Sequence, residues 1–205
     1  MARFTQNTIA MAMILVMVFI ARPSSVMGQS IDENKAAQVK AGYLVNFLRF
    51  ARWPEQAFAD DESPLVIVIV EPDPLARVLD QMVRRLKVAD RSVVVHRVSW
   101  PERRDYNSHD QFARARHEAR AAMRQAHLLL LPSEQLDRAA ELLSAIGDAP
   151  VLTVGDGPVF MSAGVMLGFE LERHRIVFHA NAERIRESPV RVSSRLLSLA
   201  RVHEP

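Results

Sequence analysis

Short continuous apolar runs recur along the chain and alternate with amphipathic segments. The runs have the length and composition of parallel strands that are buried on both faces, and they lie at residues 65–70, 128–131 and 151–154. Residues 92–98 alternate between apolar and polar side chains, which predicts a less buried strand. Two further alternating segments, Val165 to Glu170 and Arg175 to His179, predict an antiparallel hairpin.

Helical periodicity fills the segments around these strands. The first helix is predicted from Ser30, which has capping-box spacing to Glu33, as far as Trp53. Further helices are predicted at Pro74 to Leu86 after Asp73, Phe112 to Ala126, Glu134 to Ile146 after Ser133, and Ser193 to Val202. This order predicts an α/β fold, a three-layer sandwich with a mostly parallel central sheet and an antiparallel C-terminal hairpin at the edge.

The first 28 residues have the three-part pattern of a secretory signal peptide. Arg3 precedes an apolar run from Ile9 to Ala21, and small residues precede a cleavage site after Gly28. This run is shorter than the ~20 residues that span a bilayer, so an uncleaved anchor is the weaker alternative. We therefore predict a signal peptide at 1–28, a single domain at 29–205 and a periplasmic location.

Charge and cysteine content remove several classes of function. The chain has 26 Lys+Arg against 24 Asp+Glu, and a sequence pI near 9.4 that suggests a nucleic-acid partner. Cleavage after Gly28 removes Arg3 and Arg22 and leaves equal numbers of basic and acidic residues, so that suggestion loses its support. The absence of cysteine excludes disulfides, thiol catalysis and cysteine-based zinc sites.

Motifs for catalysis or cofactor binding are missing from the sequence. There is no G-x-S-x-G, and the seven histidines form neither H-x-x-x-H nor H-E-x-x-H. Gly155-Asp156-Gly157 lacks the Lys-Ser/Thr of a phosphate-binding loop and predicts a tight turn. We predict no enzyme activity, no cofactor and no metal site, while a histidine/carboxylate site assembled in space and a hydrolase of unrecognised type stay open.

The ends of the predicted parallel strands supply a hypothetical small-ligand site. Ligands of open α/β sheets bind beyond the carboxyl ends of the strands, where helix N-termini present free N–H groups. The residues at these ends are Asp73, Ser133, Glu134, Gly155 and Asp156. The alternative is structural capping, since Asp73 and Ser133 can satisfy the helix N–H groups themselves.

An arginine stripe on one predicted helix supplies a hypothetical partner site. Arg116, Arg120 and Arg124 are spaced at i, i+4 beside the apolar face. Such a stripe would attract an acidic partner or anionic headgroups, and the alternative is a solvated helix face.

Five segments of the chain resemble the YfiR-like family of secreted bacterial proteins. The segments are KAGYLVNFLRFARWP from Lys40, AHLLLLPSEQ, PVLTVGDGPVFMSAGVMLGFELE, RIVFHANAERI and VRVSSRLLSLARV. They occur in the family's order and span nearly all of Lys35 to Val202. Family members often have a cysteine where Ala126 stands here, and a paired glycine where this chain has Ala163-Gly164. The first departure puts redox control through disulfides in doubt.

The resemblance implies a periplasmic regulator without catalytic activity. Such proteins bind the periplasmic sensor part of an inner-membrane diguanylate cyclase, repress it, and so lower cyclic-di-GMP synthesis and biofilm formation. It also implies a homodimer. We expect the partner to contact exposed parts of the first helix and the hairpin edge. The alternative function is a periplasmic small-ligand-binding module that serves a transporter or a sensor kinase.

Overall fold

A computed structural model describes residues 26–71, 74–173 and 175–203, with side chains for 34–71, 74–173 and 175–201. Positions 1–25 of the predicted signal peptide and the predicted cap Asp73 lie outside the described residues. Among the described residues, those from Ala36 onward form one compact unit. The predicted division into a signal peptide and a single domain stays a prediction.

The strands of the described chain form one large sheet and one small one. The strands are β1 (Ala51–Arg52), β2 (Leu65–Val70), β3 (Lys87–Val88), β4 (Arg91–Val98), β5 (Leu128–Leu131), β6 (Leu152–Gly155), β7 (Leu167–Glu172), β8 (Arg175–Asn181), β9 (Arg191–Val192) and β10 (Arg201–His203). The large sheet has the order β10-β8-β7-β6-β5-β2-β4-β3, and β1 pairs with β9. Strands β4, β2, β5, β6 and β7 are mutually parallel, whereas β7 and β8 form the predicted antiparallel hairpin.

The helices lie between these strands in the chain. They are α1 (Val26–Phe50), α2 (Pro74–Val83), α3 (His109–Arg124), α4 (Ala139–Ile146), α5 (Phe160–Ala163), α6 (Ala182–Glu187) and α7 (Ser194–Leu197). Ser108 caps α3, because its hydroxyl accepts the Gln111 N–H at 3.2 Å. No helix among the described residues has the length and apolar character needed to cross a bilayer.

Two apolar layers on opposite faces of the sheet confirm the predicted three-layer α/β fold. Strand side chains alternate between faces, so Ile67 and Ile69 join one core and Val68 and Val70 join the other. The first core also contains buried side chains of α1 and α2, and the second contains side chains of α3, α4 and α5. Because the central strands are covered on both sides, their sequences are continuous apolar runs rather than alternating ones.

The predicted C-terminal helix from Ser193 to Val202 is wrong beyond its first turn. Ser193 does cap a helix, but α7 ends at Leu197 and the chain continues as β10. Strand β10 pairs in parallel with residues 179–181 of β8, so it covers the outer side of that part of the hairpin. An unpaired strand edge offers backbone hydrogen bonds that outweigh the weak helix preference of the final residues.

Three predicted helix boundaries are also corrected. The first helix ends at Phe50 rather than Trp53, because Ala51 and Arg52 pair with Val192 and Arg191. At its other end the described helix already contains Ser30, so Ser30 does not begin it. Residues 133–138 form a 3-10 helix before α4, and its N-cap residue is Pro132, so the predicted cap at Ser133 is wrong.

Candidate functional site

The carboxyl ends of β6, β5 and β2 lie side by side, as the sequence-based site hypothesis requires. The chain passes from β2 to β4 on one side and then returns to β5 on the other, so the topological switch point lies between β2 and β5. Ligands of open α/β sheets bind at such a point. We call this region the carboxyl edge.

Asp156 and Gly155 are tied into the structure of the carboxyl edge. The Asp156 N–H donates to the carbonyl of Leu131 at 2.9 Å, which joins the ends of β6 and β5. The Asp156 carboxylate pairs with the Lys40 ammonium of α1 at 2.7 Å, and both side chains are about four-fifths buried. A Cβ on Gly155 would lie 2.3 Å from the Cβ of Phe160, so only glycine lets α5 pack here. The structure gives both predicted ligand residues a structural role.

The remaining predicted ligand residues do not converge with Asp156 on a described cavity. Ser133 and Glu134 are exposed at the start of the 3-10 helix, and Asp73 lies outside the described residues. Their neighbour Gln135 is buried, and its Oε1 has no hydrogen-bond partner among the described residues. Sequence reasoning missed Gln135, because a polar residue after a predicted cap is typical of an exposed first turn.

Trp100 lies just beyond the carboxyl end of β4, the strand next to β2. Its backbone N–H donates to the Glu71 carboxylate at 2.7 Å, and its side chain is buried in the second core. The guanidinium carbon of Arg116 lies 4.2 Å from the centroid of a Trp100 ring. Sequence reasoning missed this residue, although a tryptophan followed by proline after a strand was an available signal. The tryptophan ring therefore packs into the protein's own second core rather than facing solvent.

The three arginines of the predicted stripe have three different environments. Arg116 pairs with Glu141 of α4 at 2.6 Å while it covers Trp100. Partial burial raises the pKa of Glu141, but the hydrogen bond and charge of Arg116, together with contributions from Trp100 and Arg138, outweigh it, so the pKa lies below its usual value. Arg124 donates to the carbonyl of Ile146 at 2.7 Å, whereas Arg120 is exposed and makes no described side-chain contact. Two of the three arginines therefore connect α3 to α4 and its end.

An aromatic cluster joins α1 to the hairpin. The ring centroids of Phe47 lie 5.7 Å from Phe169 and 5.1 Å from Phe178, and the Tyr43 hydroxyl donates to the Ile176 carbonyl at 3.2 Å. Apolar side chains continue past this cluster into solvent: Val39, one turn before Tyr43, is 42% exposed, and Leu171, on the same strand face as Phe169, is 66% exposed. We call Val39, Tyr43, Leu171 and Ile176 the helix–hairpin surface.

His127 is held in its neutral form at the amino end of β5. The Val66 N–H donates to its Nδ1 at 3.0 Å, the Phe58 ring stacks on it at 4.5 Å, and the Trp53 Nε1 donates to its carbonyl at 2.9 Å. Burial, with a smaller contribution from the Arg91 charge, lowers the pKa of His127 to about 4. Within the described residues no group of three or more His, Asp or Glu side chains is arranged to hold a metal ion.

Comparison with known proteins identifies one match. A family model described as YfiR/HmsC-like matches residues 37–201, from the middle of α1 to the first residue of β10. No curated protein matches the chain.

Proposed function

Because the chain belongs to the YfiR/HmsC-like family of periplasmic regulatory domains without catalytic activity, we propose that it represses an inner-membrane signalling protein by binding its periplasmic part. The partner is a diguanylate cyclase, so the bound state lowers cyclic-di-GMP synthesis and biofilm formation. The protein reaches the periplasm by a cleaved signal peptide and acts there as a homodimer.

The exposed helix–hairpin surface is the observation that carries this proposal. Large exposed apolar side chains beside a packed aromatic cluster are typical of a protein–protein interface. Leu171 stands two-thirds exposed, although its strand neighbours Leu167 and Phe169 are buried. The outer side of β8 is covered by β10 only at residues 179–181, so the backbone at Arg175–Phe178 has no paired strand on that side in the described structure. A partner can therefore add both apolar contacts and strand-edge hydrogen bonds.

Repression needs no chemistry from this protein. A partner that exchanges between an active and an inactive state is shifted toward the state that binds the regulator more tightly. The size of the shift is set by the difference in affinity for the two states and not by the affinity itself. The helix–hairpin surface must therefore fit one conformation of the partner better than the other.

The experiment places a photoreactive amino acid at Leu171 in cells that carry the native membrane. The control places the same group at Leu199, which is equally exposed at 69% and lies outside the helix–hairpin surface. We expect a crosslink from position 171 to an inner-membrane protein with a periplasmic domain and a cyclase domain, and none from position 199. Equal crosslinking from both positions, or a partner of another class, contradicts the proposal.

A functional measurement accompanies the crosslink. The substitution Leu171→Asp removes apolar contact and adds a charge at an exposed position, so the fold tolerates it. We expect cellular cyclic-di-GMP to rise to the level of a strain that lacks the protein. Leu199→Asp should leave it unchanged, and a rise with that control variant would contradict a role for this particular surface.

The arginine stripe contributes to the same proposal through Arg120. Arg120→Ala removes an exposed charge without a described intramolecular contact, whereas changes at Arg116 or Arg124 also disturb the packing of α3 on α4. If the partner's contact surface is acidic, Arg120→Ala weakens binding and the effect diminishes as salt rises. Unchanged partner affinity of Arg120→Ala at low salt would remove the stripe from the interface.

A small-ligand-binding module remains the second candidate, and buried Gln135 favours it. An unpaired carbonyl oxygen in a protein interior is costly, and a ligand donor at the carboxyl edge would satisfy it. Calorimetry of the protein against mixtures of small periplasmic metabolites tests this function. Binding that is lost in Gln135→Leu but kept in Glu134→Gln would favour the module over the regulator.

A further inference from the structure

Five exposed arginines gather around the small sheet of β1 and β9. Arg49, Arg52 and Arg191 line one cleft together with Phe50, and Arg52, Arg186 and Arg191 line an adjoining cleft with Trp53. The guanidinium carbon of the fifth, Arg195, lies 6.0 Å from the centroid of the Phe50 ring. We call this region the arginine cleft. It belongs to the amino-end side of β5, since Trp53 donates to His127 immediately before that strand.

Pairing in this region places like charges opposite each other. Arg52 of β1 and Arg191 of β9 are direct partners in an antiparallel ladder, so their side chains leave the same face of the ribbon. Directly opposed like charges destabilise a strand pair. The Ser193 N–H continues the ladder to the Phe50 carbonyl at 2.9 Å, so the register is fixed by backbone bonds despite this repulsion.

Carboxylates do not compensate for these charges. Within the described chain none of the five arginines forms an ion pair, and neither cleft is lined by Asp or Glu. The nearest acidic residues in sequence are Glu55 and Glu187, and Glu187 pairs with Arg184 at 3.1 Å. The only described side-chain hydrogen bonds of the five are those from Arg52 to the carbonyls of Arg49 and Ala51.

The hydrogen-bonding geometry of several guanidinium groups indicates which class of anion the cleft can bind. Each guanidinium is a planar fork of N–H donors that matches an oxyanion with two parallel hydrogen bonds. Two or more forks around one cleft suit an anion with three acceptor oxygens and more than one negative charge, which a phosphate group provides and a single carboxylate does not. The clefts, about 430 and 330 Å³, are large enough for a phosphate together with part of the molecule that carries it.

We propose that the arginine cleft is a binding site for a phosphate group, held between Arg52, Arg186 and Arg191. Free phosphate compounds and the headgroups of anionic phospholipids share this chemistry. The site is independent of the helix–hairpin surface, and the protein as a whole carries little net charge after signal-peptide removal, so binding requires the local cluster.

The experiment compares the secreted chain with two double variants of equal charge change. Arg186→Gln/Arg191→Gln removes two cleft arginines whose side chains have no described intramolecular hydrogen bond. Arg84→Gln/Arg85→Gln removes two exposed arginines that follow α2, outside the cleft. Binding is measured by calorimetry with pyrophosphate, by thermal unfolding with and without pyrophosphate, and by co-sedimentation with vesicles of phosphatidylglycerol or of phosphatidylcholine.

We expect wild type and Arg84→Gln/Arg85→Gln to bind alike, and the cleft variant to bind at least about tenfold more weakly. Pyrophosphate should raise the melting temperature of the first two proteins only. Binding to free pyrophosphate identifies a soluble ligand, and binding only to phosphatidylglycerol vesicles identifies a lipid headgroup; either supports the proposal. Equal losses in both double variants, tighter binding of polyglutamate than of pyrophosphate, or no binding of either phosphate source overturns it. None of these outcomes depends on the partner in the proposed function.

Discussion

The carboxyl edge and the arginine cleft are both rich in charged residues but differ in how those charges are balanced. At the carboxyl edge Lys40 pairs with Asp156, Arg116 pairs with Glu141, and Arg138 and Arg104 both pair with Glu102. The described lining of the arginine cleft includes four arginines and no Asp or Glu. A paired charge fixes neighbouring elements in place, whereas an unpaired cluster retains its electrostatic attraction for a ligand.

The open clefts of this protein do not lie where ligands usually bind in an α/β sheet. Ligands of open α/β sheets normally bind at the carboxyl edge, but here buried Trp100 and the Lys40–Asp156 pair belong to the packing of that edge, and Arg116 covers the tryptophan ring. The open clefts described above lie beside a two-stranded ribbon on the amino-end side of β5. Fold topology alone would therefore predict a ligand site at the carboxyl edge, which this chain uses for packing.

The largest expected effect on stability comes from a substitution at Gly155, which tests whether the carboxyl edge is tightly packed. In Gly155→Ala the new Cβ would approach the Phe160 Cβ to 2.3 Å, and overpacking a buried site with no flexible neighbour costs about 3 kcal/mol. Urea unfolding measures the loss. The matched control is Gly42→Ala, where no atom lies within 4 Å of the added Cβ and the helix gains about 0.5–1 kcal/mol. A neutral Gly155→Ala would mean that the edge has room for a ligand after all.

The next effect is a loss of folding stability at low pH, caused by His127 at the amino end of β5. Burial first, and the Arg91 charge second, lower the pKa of His127 from 6.5 to about 4. Between these two pH values, His127 is therefore protonated in the unfolded chain but neutral in the folded protein. Stability from this group is complete above pH 6.5 and falls as pH drops toward 4. The free energy of unfolding should decrease by about 2 kcal/mol between pH 7 and pH 5 from His127 alone.

The control for this titration is His127→Asn, whose side-chain carbonyl can still accept the Val66 N–H. This variant is less stable at pH 7 because it loses the Phe58 stacking, but its unfolding free energy should change less between pH 7 and pH 5 than that of wild type. Urea titrations at both pH values measure the difference. An equal pH dependence in the two proteins would show that His127 is not the group that titrates.

The fold was predictable because long apolar runs and helical periodicity are local signals. The continuous runs of β2, β5 and β6 and the hairpin of β7 and β8 lie close to where the sequence predicted them. The strands β1, β9 and β10 were not predictable, because each has two or three residues and exists only through pairing with a distant segment. The C-terminal error arose in the same way, since strand pairing overrode a weak helix preference.

The candidate site was less predictable than the fold, because charge balance is a property of tertiary contacts. Arg116, Arg120 and Arg124 form a regular stripe in sequence, yet among the described contacts only the Arg120 guanidinium has no hydrogen-bond or ion-pair partner. The arginines of the cleft come from positions 49 to 195, without any regular spacing. Register between β1 and β9 brings Arg52 and Arg191 together, and that register was not visible in the sequence.

A smaller effect compares two arginines of α3, one with described partners and one without. Arg116→Ala removes a cation–π contact with Trp100 and an ion pair with Glu141, which together contribute about 1–2 kcal/mol. Arg120→Ala, one turn further along α3, should change stability by less than about 0.5 kcal/mol, because surface substitutions without a partner are near neutral. Both values come from urea unfolding at pH 7. Equal effects would indicate that the carboxyl edge does not depend on Arg116.

The smallest effect has the opposite sign and comes from the arginine cleft. Arg191→Glu replaces a repulsive cross-strand pair with an attractive one opposite Arg52, which should raise stability by about 0.5 kcal/mol in the absence of phosphate. The same change should abolish pyrophosphate binding, so the variant becomes more stable and loses the ligand. Thermal unfolding in low-salt buffer without phosphate detects the gain, and added salt should reduce it because screening weakens both the repulsion and the attraction. A loss of stability would mean that Arg191 already has a compensating partner, and the contrast between a balanced carboxyl edge and an unbalanced cleft would fail.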